Sequence, residues 1–254
     1  MKMSQNKFKQ AIKAGKHQVG LWITLQDAYS IEILANSGFD WLLLDSEHSP
    51  NDLNSILHKL QVMAAYDTTP IVRPTHNDPV EIKRYLDIGV QTFLVPFVET
   101  AEQAEEIVRC LRYPPRGHRG MGGWMRANHF GKVSDYLQSY EEQICLLVQV
   151  ENKTGLENLK EIAAVDGVDG VFIGPTDLSA SLGYLGQPEH PEMQKVIVDA
   201  ISQIKALGKA PGMLAFNKEL APKYIQAGSL FTAVGMDTGL LVQGAQNLIA
   251  TYKS

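Results

Sequence analysis

The sequence predicts an α/β protein whose strands close into a (β/α)8 barrel. Two observations carry that expectation. Short apolar runs recur along the chain, and amphipathic helical patterns alternate with them in strict order. Eight such pairs fit into 254 residues, the usual length of a barrel of this kind, with an open doubly wound sheet as the alternative topology.

The strand runs, in order, are QVGLWITL, FDWLLLD, TTPIVRP, VQTFLVPF, ICLLVQVE, VDGVFIGP, KAPGMLA and SLFTAVG. Nearly all are apolar on both faces, as parallel strands covered on both sides should be. The intervening helical patterns are DAYSIEILANSG, NDLNSILHKLQVMAA, DPVEIKRYLDIG, TAEQAEEIVRCLR, TGLENLKEIAAVDG, HPEMQKVIVDAISQIKALG, NKELAPKYIQAG and DTGLLVQGAQNLIATY. Gly38, Gly89, Gly208 and Gly228 stand where a left-handed residue would end four of these helices. No Pro/Ser-rich linker or low-complexity run divides the chain, so residues 1–254 read as one domain. The segment from Tyr113 to Leu137, rich in Gly and Arg, lacks periodicity where a short connection is usual. It reads either as a lid or as a surface or subunit-contact loop.

Composition narrows the function. With 44% hydrophobic and 20% charged residues and a net charge of −5, the chain has no basic footprint for nucleic acid. The N-terminal stretch is polar and basic without the apolar core of a signal peptide. No apolar run approaches the roughly 20 residues of a membrane span, so a soluble cytoplasmic protein is expected. Cys110 and Cys145 lack CxxC spacing and are expected as buried free thiols.

Chemistry concentrates where strands end, which in a barrel is the rim that carries the site. The second run ends in Asp45, Glu47 and His48, the third in Arg73 with His76 beyond it. The fifth ends in Gln149 and Glu151, and the sixth runs through Gly174, Pro175 and Thr176 to Asp177; apolar or neutral residues end the others. Glu151 and Asp177, from neighbouring strands, suit a hard divalent cation, although either alone could cap the helix that follows. The GPTD backbone at a helix start could receive a carboxylate. Arg73 suits a bidentate grip on a carboxylate or enolate, or an ion pair to Asp45 or Glu47. His48 could be a general base or a capping side chain. Asp87 falls near the apolar face of its helix and requires a partner there, His48 being one candidate.

Six ordered motifs, GFDWLLLDSEHSPND, PIVRP, LDIGVQTFLVPFVET, RYPPRGHRG, QVE and GVFIGPTDLSASLG, resemble the HpcH/HpaI aldolases, the metal-dependent pyruvate aldolases, over nearly the whole chain. The resemblance implies a TIM barrel of the phosphoenolpyruvate/pyruvate type. It also implies a hexamer, a trimer of dimers that exchange the last helix, and reversible aldol cleavage to pyruvate and an aldehyde in aromatic or sugar-acid catabolism. Carried over, Glu151 and Asp177 bind Mg²⁺, Mn²⁺ or Co²⁺, Arg73 contacts pyruvate and its enolate, and His48 with Asp87 forms an acid–base dyad. Gln149 and the backbone of Gly174 to Asp177 complete the pyruvate site. Two positions depart from the family pattern: Ser46 replaces a usual Gly, and His118 a usual aliphatic residue, neither at a carried-over role. MRANHFGKVSDYL and NKFKQAIKAGKHQVG look most like 2-dehydro-3-deoxyglucarate aldolases, which leans toward a sugar acid over 4-hydroxy-2-oxoheptanedioate. The rivals are an oxaloacetate-type decarboxylase and a non-catalytic 2-oxo-acid binding protein. A lysine Schiff base is disfavoured, Lys153 being the nearest candidate.

Overall fold

The computed structural model describes residues 1–253. Eight parallel strands, β1 (Gln18–Ile23), β2 (Trp41–Asp45), β3 (Thr69–Arg73), β4 (Thr92–Val95), β5 (Cys145–Val150), β6 (Gly170–Ile173), β7 (Ala210–Leu214) and β8 (Phe231–Met236), pair in sequence order, and β8 closes on β1. Each run expected to be a strand is one, and the closed order rules out the open sheet. The helices are α1 (Lys7–Lys13), α2 (Ala28–Ala35), α3 (Leu53–Met63), α4 (Pro79–Asp87), α5 (Ala101–Leu111), α6 (Tyr136–Gln143), α7 (Lys153–Glu157), α8 (Leu159–Ala164), α9 (Pro175–Ser181), α10 (Pro191–Ala206), α11 (Leu220–Ala227) and α12 (Asp237–Ala250). The four glycines expected to end helices have φ of 89° at Gly38, 98° at Gly89, 74° at Gly208 and 121° at Gly228, values that a side chain would strain.

Strand alternation divides the core in two. Along β2, Leu42 and Leu44 face the helices with Ile56, Leu60 and Ile82, whereas Trp41 and Leu43 point into the barrel beside Ile71, Leu147, Phe172 and Phe231. The interior fills by opposing large and small residues across the register. Gly20 is paired with Trp41 and Gly212 with Phe231. A Cβ on either glycine would lie 2.1 Å from the facing ring. The bottom of this interior is plugged by α1, whose Phe8 meets Trp41 and Phe231 edge-on at 6.2 and 5.7 Å between centroids. That helix has only a short apolar pattern; the Asn6 side chain caps it by accepting from Lys9 N at 2.9 Å.

Helices run against the strands, so the molecule has two chemically different ends. Strand C-termini open one rim. At the other, Arg126 donates to the carbonyls of Ile88 (2.7 Å) and Leu60 (3.3 Å), and the N-terminal amine reaches the carbonyl of Lys132. The irregular segment between α5 and α6 therefore lies at the rim where strands begin and does not form a lid over its own chain's strand C-termini. Of the two readings, the surface or contact loop holds. Cys110 and Cys145 are buried and free, as expected. Among the described residues no helix is long and apolar enough to cross a membrane.

Candidate active site

A cavity of about 400 Å³ opens at the strand C-termini, lined by Trp22, Asp45, His48, Arg73, Gln149 and Asp177 among others. Its base is an ion-paired fork. Arg73 Nε and Nη2 donate to the two carboxylate oxygens of Asp45 at 2.9 and 2.7 Å, and the guanidinium lies 4.8 Å over the Trp22 ring. Trp22 Nε1 also donates to Asp45 at 3.1 Å. Burial pushes the Asp45 carboxyl up, but the Arg73 hydrogen bonds and charge, with Trp22, outweigh it and hold the group below the ordinary carboxylate range. The third guanidinium nitrogen, Nη1, lies 2.7 Å from Glu47 Oε2, close enough for an ion pair yet without the alignment of a hydrogen bond. Burial dominates at Glu47 and raises its carboxyl despite Arg73. Arg73 thus makes the ion pairs anticipated for it while still facing the cavity.

Across the mouth, Glu151 is 2% exposed. It does not cap the next helix; Asn152 does, accepting from Gly155 N at 2.8 Å. Glu151 Oε1 accepts the Phe97 backbone N–H at 2.8 Å, and Oε2 accepts from Gln149 Nε2. Burial, reinforced by the charges of Glu47 and Asp177 and opposed by the Phe97 N–H and Arg73, lifts its carboxyl to about 8. Gly174 makes room for this pair: a Cβ there would lie 2.7 Å from Glu151 Oε2 and 3.0 Å from Gln149 Nε2. Asp177 stands in the first turn of α9, makes no capping hydrogen bond there, and lines the cavity.

His48 is on the rim, its side chain 64% exposed with Nε2 3.8 Å from Glu47 Oε2. It is not a cap, since Asp52 performs that role for α3 in a reciprocal box with Ser55. His76 is exposed just past β3 and does not line the cavity. Lys153 is exposed, its Nζ 3.8 Å from Glu157 on the same helix, and the cavity lining contains no lysine. Asp87 does not meet His48 within one chain. As the last residue of α4 it sits at the opposite rim, roughly 15 Å of strand away, where Arg119 Nη2 donates to it at 3.2 Å. Its partner within the chain is Arg119, not His48.

Several contributors carry no signal at the strand ends. Phe97, just past β4, has a φ of 52°, a left-handed conformation that aims its N–H at Glu151. Asp237, buried at the start of α12, accepts the N–H groups of Thr24 (2.9 Å) and Leu25 (2.8 Å) and so ties the end of β1 to the rim. Lys59 is 0% exposed and donates to Asn51 Oδ1, while Asn51 Nδ2 donates to the Asp45 carbonyl at 2.7 Å. Burial drops the Lys59 ammonium to about 8. Ser46 shares a 2.8 Å hydrogen bond with the Tyr85 hydroxyl.

Comparison with known proteins identifies the family and the fold. The profile of the HpcH/HpaI aldolase/citrate lyase family matches residues 18–244. A 4-hydroxy-2-oxo-heptane-1,7-dioate aldolase of Escherichia coli is 52% identical over 98% of this chain and 95% of its own length. The Klebsiella pneumoniae enzyme of the same name is 53% identical over 97% and 94%. A crystal structure of an HpcH/HpaI aldolase/citrate lyase family protein from Burkholderia cenocepacia, 36% identical, superposes with a TM-score of 0.94 over 98% of this chain and 100% of that one. A barrel of this register, with its charged fork and its carboxylate pair at one rim, belongs by sequence and by shape to the HpcH/HpaI aldolase/citrate lyase family of carbon–carbon lyases.

Proposed function

We propose that this lyase uses a divalent cation, held by Glu151 and Asp177, to cleave and re-form the C3–C4 bond of a 4-hydroxy-2-oxo acid, with pyruvate and an aldehyde as products. The observation that carries this reading is a charge imbalance. Asp45, Glu47, Glu151 and Asp177 gather around one mouth against a single guanidinium, and two buried acceptors there, Glu47 Oε2 and Gln149 Oε1, have no hydrogen-bond donor. Oxygen-rich, anionic and partly open, the donor set fits a hard cation that keeps positions for substrate. Such a cation supplies fixed positive charge beside a developing enolate.

The chain's own residues do the rest. Asp45 and Trp22 hold Arg73 flat and immobile, so its charge is in place before negative charge builds on the pyruvyl oxygen. Thr176 and Asp177 offer backbone N–H groups to the substrate carboxylate. His48, free of capping duties and open to solvent, takes the proton of the C4 hydroxyl. Because Asp87 sits at the other rim, the His48–Asp87 dyad forms only between two copies of the chain. Oligomerisation, most simply the hexamer that the resemblance implies, is part of this proposal. The name shared by the relatives favours 4-hydroxy-2-oxo-heptane-1,7-dioate as substrate. The two segments that look like sugar-acid aldolases line no part of this chain's cavity and carry less weight.

A panel of 4-hydroxy-2-oxo acids with coupled pyruvate detection tests the reading. Chelation should stop pyruvate release and Mg²⁺, Mn²⁺ or Co²⁺ should restore it. Full activity in chelator, or borohydride trapping of pyruvate on a lysine, would overturn it. Oxaloacetate decarboxylation is the second reading, favoured by one observation: a single chain carries the whole enolate site, whereas the hydroxyl-deprotonating dyad is divided.

A further inference from the structure

The sequence departure at His118 has a structural counterpart away from the cavity. Glu106 and Cys110 are one helical turn apart on the same face of α5. Beyond the helix the chain doubles back: His118 N donates to the Arg109 carbonyl at 3.0 Å and Arg119 N to that of Arg112 at 2.9 Å. Gly117 permits this reversal, because a Cβ there would be 2.2 Å from the Arg109 carbonyl oxygen. The imidazole is thereby placed over the two helix residues, with Nε2 2.7 Å from Glu106 Oε1 and 3.9 Å from Cys110 Sγ. The three ligand atoms all lie within 4.8 Å of one another.

We propose that Glu106, Cys110 and His118 form a binding site for one zinc ion, separate from the catalytic cavity. With Zn–S near 2.3 Å and Zn–N or Zn–O near 2.0–2.1 Å, tetrahedral ligands stand about 3.3–3.6 Å apart. The sulfur–nitrogen pair is close to that spacing. The carboxylate–imidazole pair needs to open by about 0.6 Å to reach it, which the exposed Glu106 side chain can provide by rotation. The other oxygen of Glu106 is engaged by Arg109 Nη1 at 3.2 Å, so Oε1 is the one turned toward the cluster. One sulfur, one nitrogen and one carboxylate oxygen form a soft-to-borderline set that selects zinc over magnesium, and water fills the fourth position. As the ion binds, the thiol proton leaves to solvent and the imidazole keeps its proton on Nδ1, which frees Nε2 from its hydrogen bond to Glu106 for the metal. Bound there, zinc staples α5 to the turn that carries Arg119.

Cobalt(II) reads this site alone, since no residue of the catalytic cavity has a thiol. The full-length protein is titrated with Co²⁺ in excess Mg²⁺ at neutral pH. The expected result is a thiolate-to-cobalt charge-transfer band in the near ultraviolet that saturates at one ion per chain and vanishes on adding Zn²⁺. Cys110→Ser should abolish the band, His118→Leu and Glu106→Gln should each weaken binding about tenfold or more, and all three should keep pyruvate release. Cys145→Ser should leave the band unchanged. Absence of the band in the wild type, or its persistence in Cys110→Ser, would overturn the assignment. Loss of pyruvate release in chelator bears only on the catalytic cation.

Discussion

Arg73 has a guanidinium fork that grips both oxygens of Asp45 and pairs with Glu47, a bidentate geometry that lysine does not reproduce. Arg73→Lys is expected to impair aldol cleavage and oxaloacetate decarboxylation alike, because both pass through the same enolate. His48→Ala should separate them: about 10²-fold or more lost in aldol cleavage, with most of the decarboxylation retained. Equal losses in both reactions would move the base elsewhere, to Glu47 first. Lys59 gives a pH signature. Its folded pKa lies near 8 against 10.5 in an unfolded chain, so the unfolded state binds more protons between those values. Wild type should therefore gain stability relative to Lys59→Met as pH rises from 8 to 10.5, by up to about 3 kcal/mol; urea titrations of both proteins across that window check it. Much of the site was legible because Asp45, Arg73, Glu151 and Asp177 interrupt or follow apolar strands, where charge needs a reason. The Phe97 contribution was not, since a main-chain N–H turned by a left-handed φ leaves no mark on side-chain pattern. Lys59 left one, a cation within the stripe Ile56, Leu60 and Met63, and hydrophobic periodicity alone passes over it.

At the scale of elements, the strands and most helices followed from period and from their terminating glycines. Helices α6 and α9 fall outside the eight expected patterns, and two further exceptions have physical causes. Helix α1 is seven residues with two buried apolar positions, Phe8 and Ile12, and what holds it is the barrel floor that Phe8 enters. The pattern TGLENLKEIAAVDG, continuous in sequence, divides into α7 and α8 at Asn158, whose side chain donates to the Glu99 carbonyl at 2.8 Å. Packing across the register also sets what β7 tolerates. Gly212→Ala should lower stability by about 1–3 kcal/mol, because the Phe231 ring occupies the space the methyl group needs. Phe8→Ala should lower it by about 3–5 kcal/mol. Denaturant midpoints at unchanged slope are the measure of both, and a change within experimental error in either would show that the interior is loosely filled.

At the scale of the whole molecule, one copy leaves an apolar face uncovered. Along α12 only Asp237 is buried, while Leu240, Leu241, Val242, Leu248 and Ile249 are exposed, and Trp124 of the segment after α5 is 87% exposed. Surfaces of that apolarity mark interfaces. Deletion after Gly239 is expected to give smaller species or aggregates in light scattering, and a full-length chain that stays monomeric at micromolar concentration would contradict the assembly. If the dyad is shared, inactive His48→Ala and Asp87→Ala proteins, mixed and reassembled, should recover roughly a quarter of wild-type aldol activity by random pairing. No recovery, with mixed oligomers confirmed by mass, would confine the chemistry to one chain. The rim of Asp87 was legible too, because a residue late in a helix that runs against its strand belongs at the end where strands begin; pairing it with His48 set that rule aside.

The pairing of β8 with β1 has a consequence for biosynthesis. The first and last strands are neighbours in the finished sheet, yet more than two hundred residues separate them in order of translation. Until Phe231–Met236 leaves the ribosome, the nascent sheet carries two open edges, β1 and β7, with nothing to close them, the condition that favours wrong pairing between chains. Closure is then a single late event that α1, made first, waits longest to join. A chain stopped after Leu230 should remain bound to chaperones or precipitate, whereas one stopped after Ala250 should be released folded.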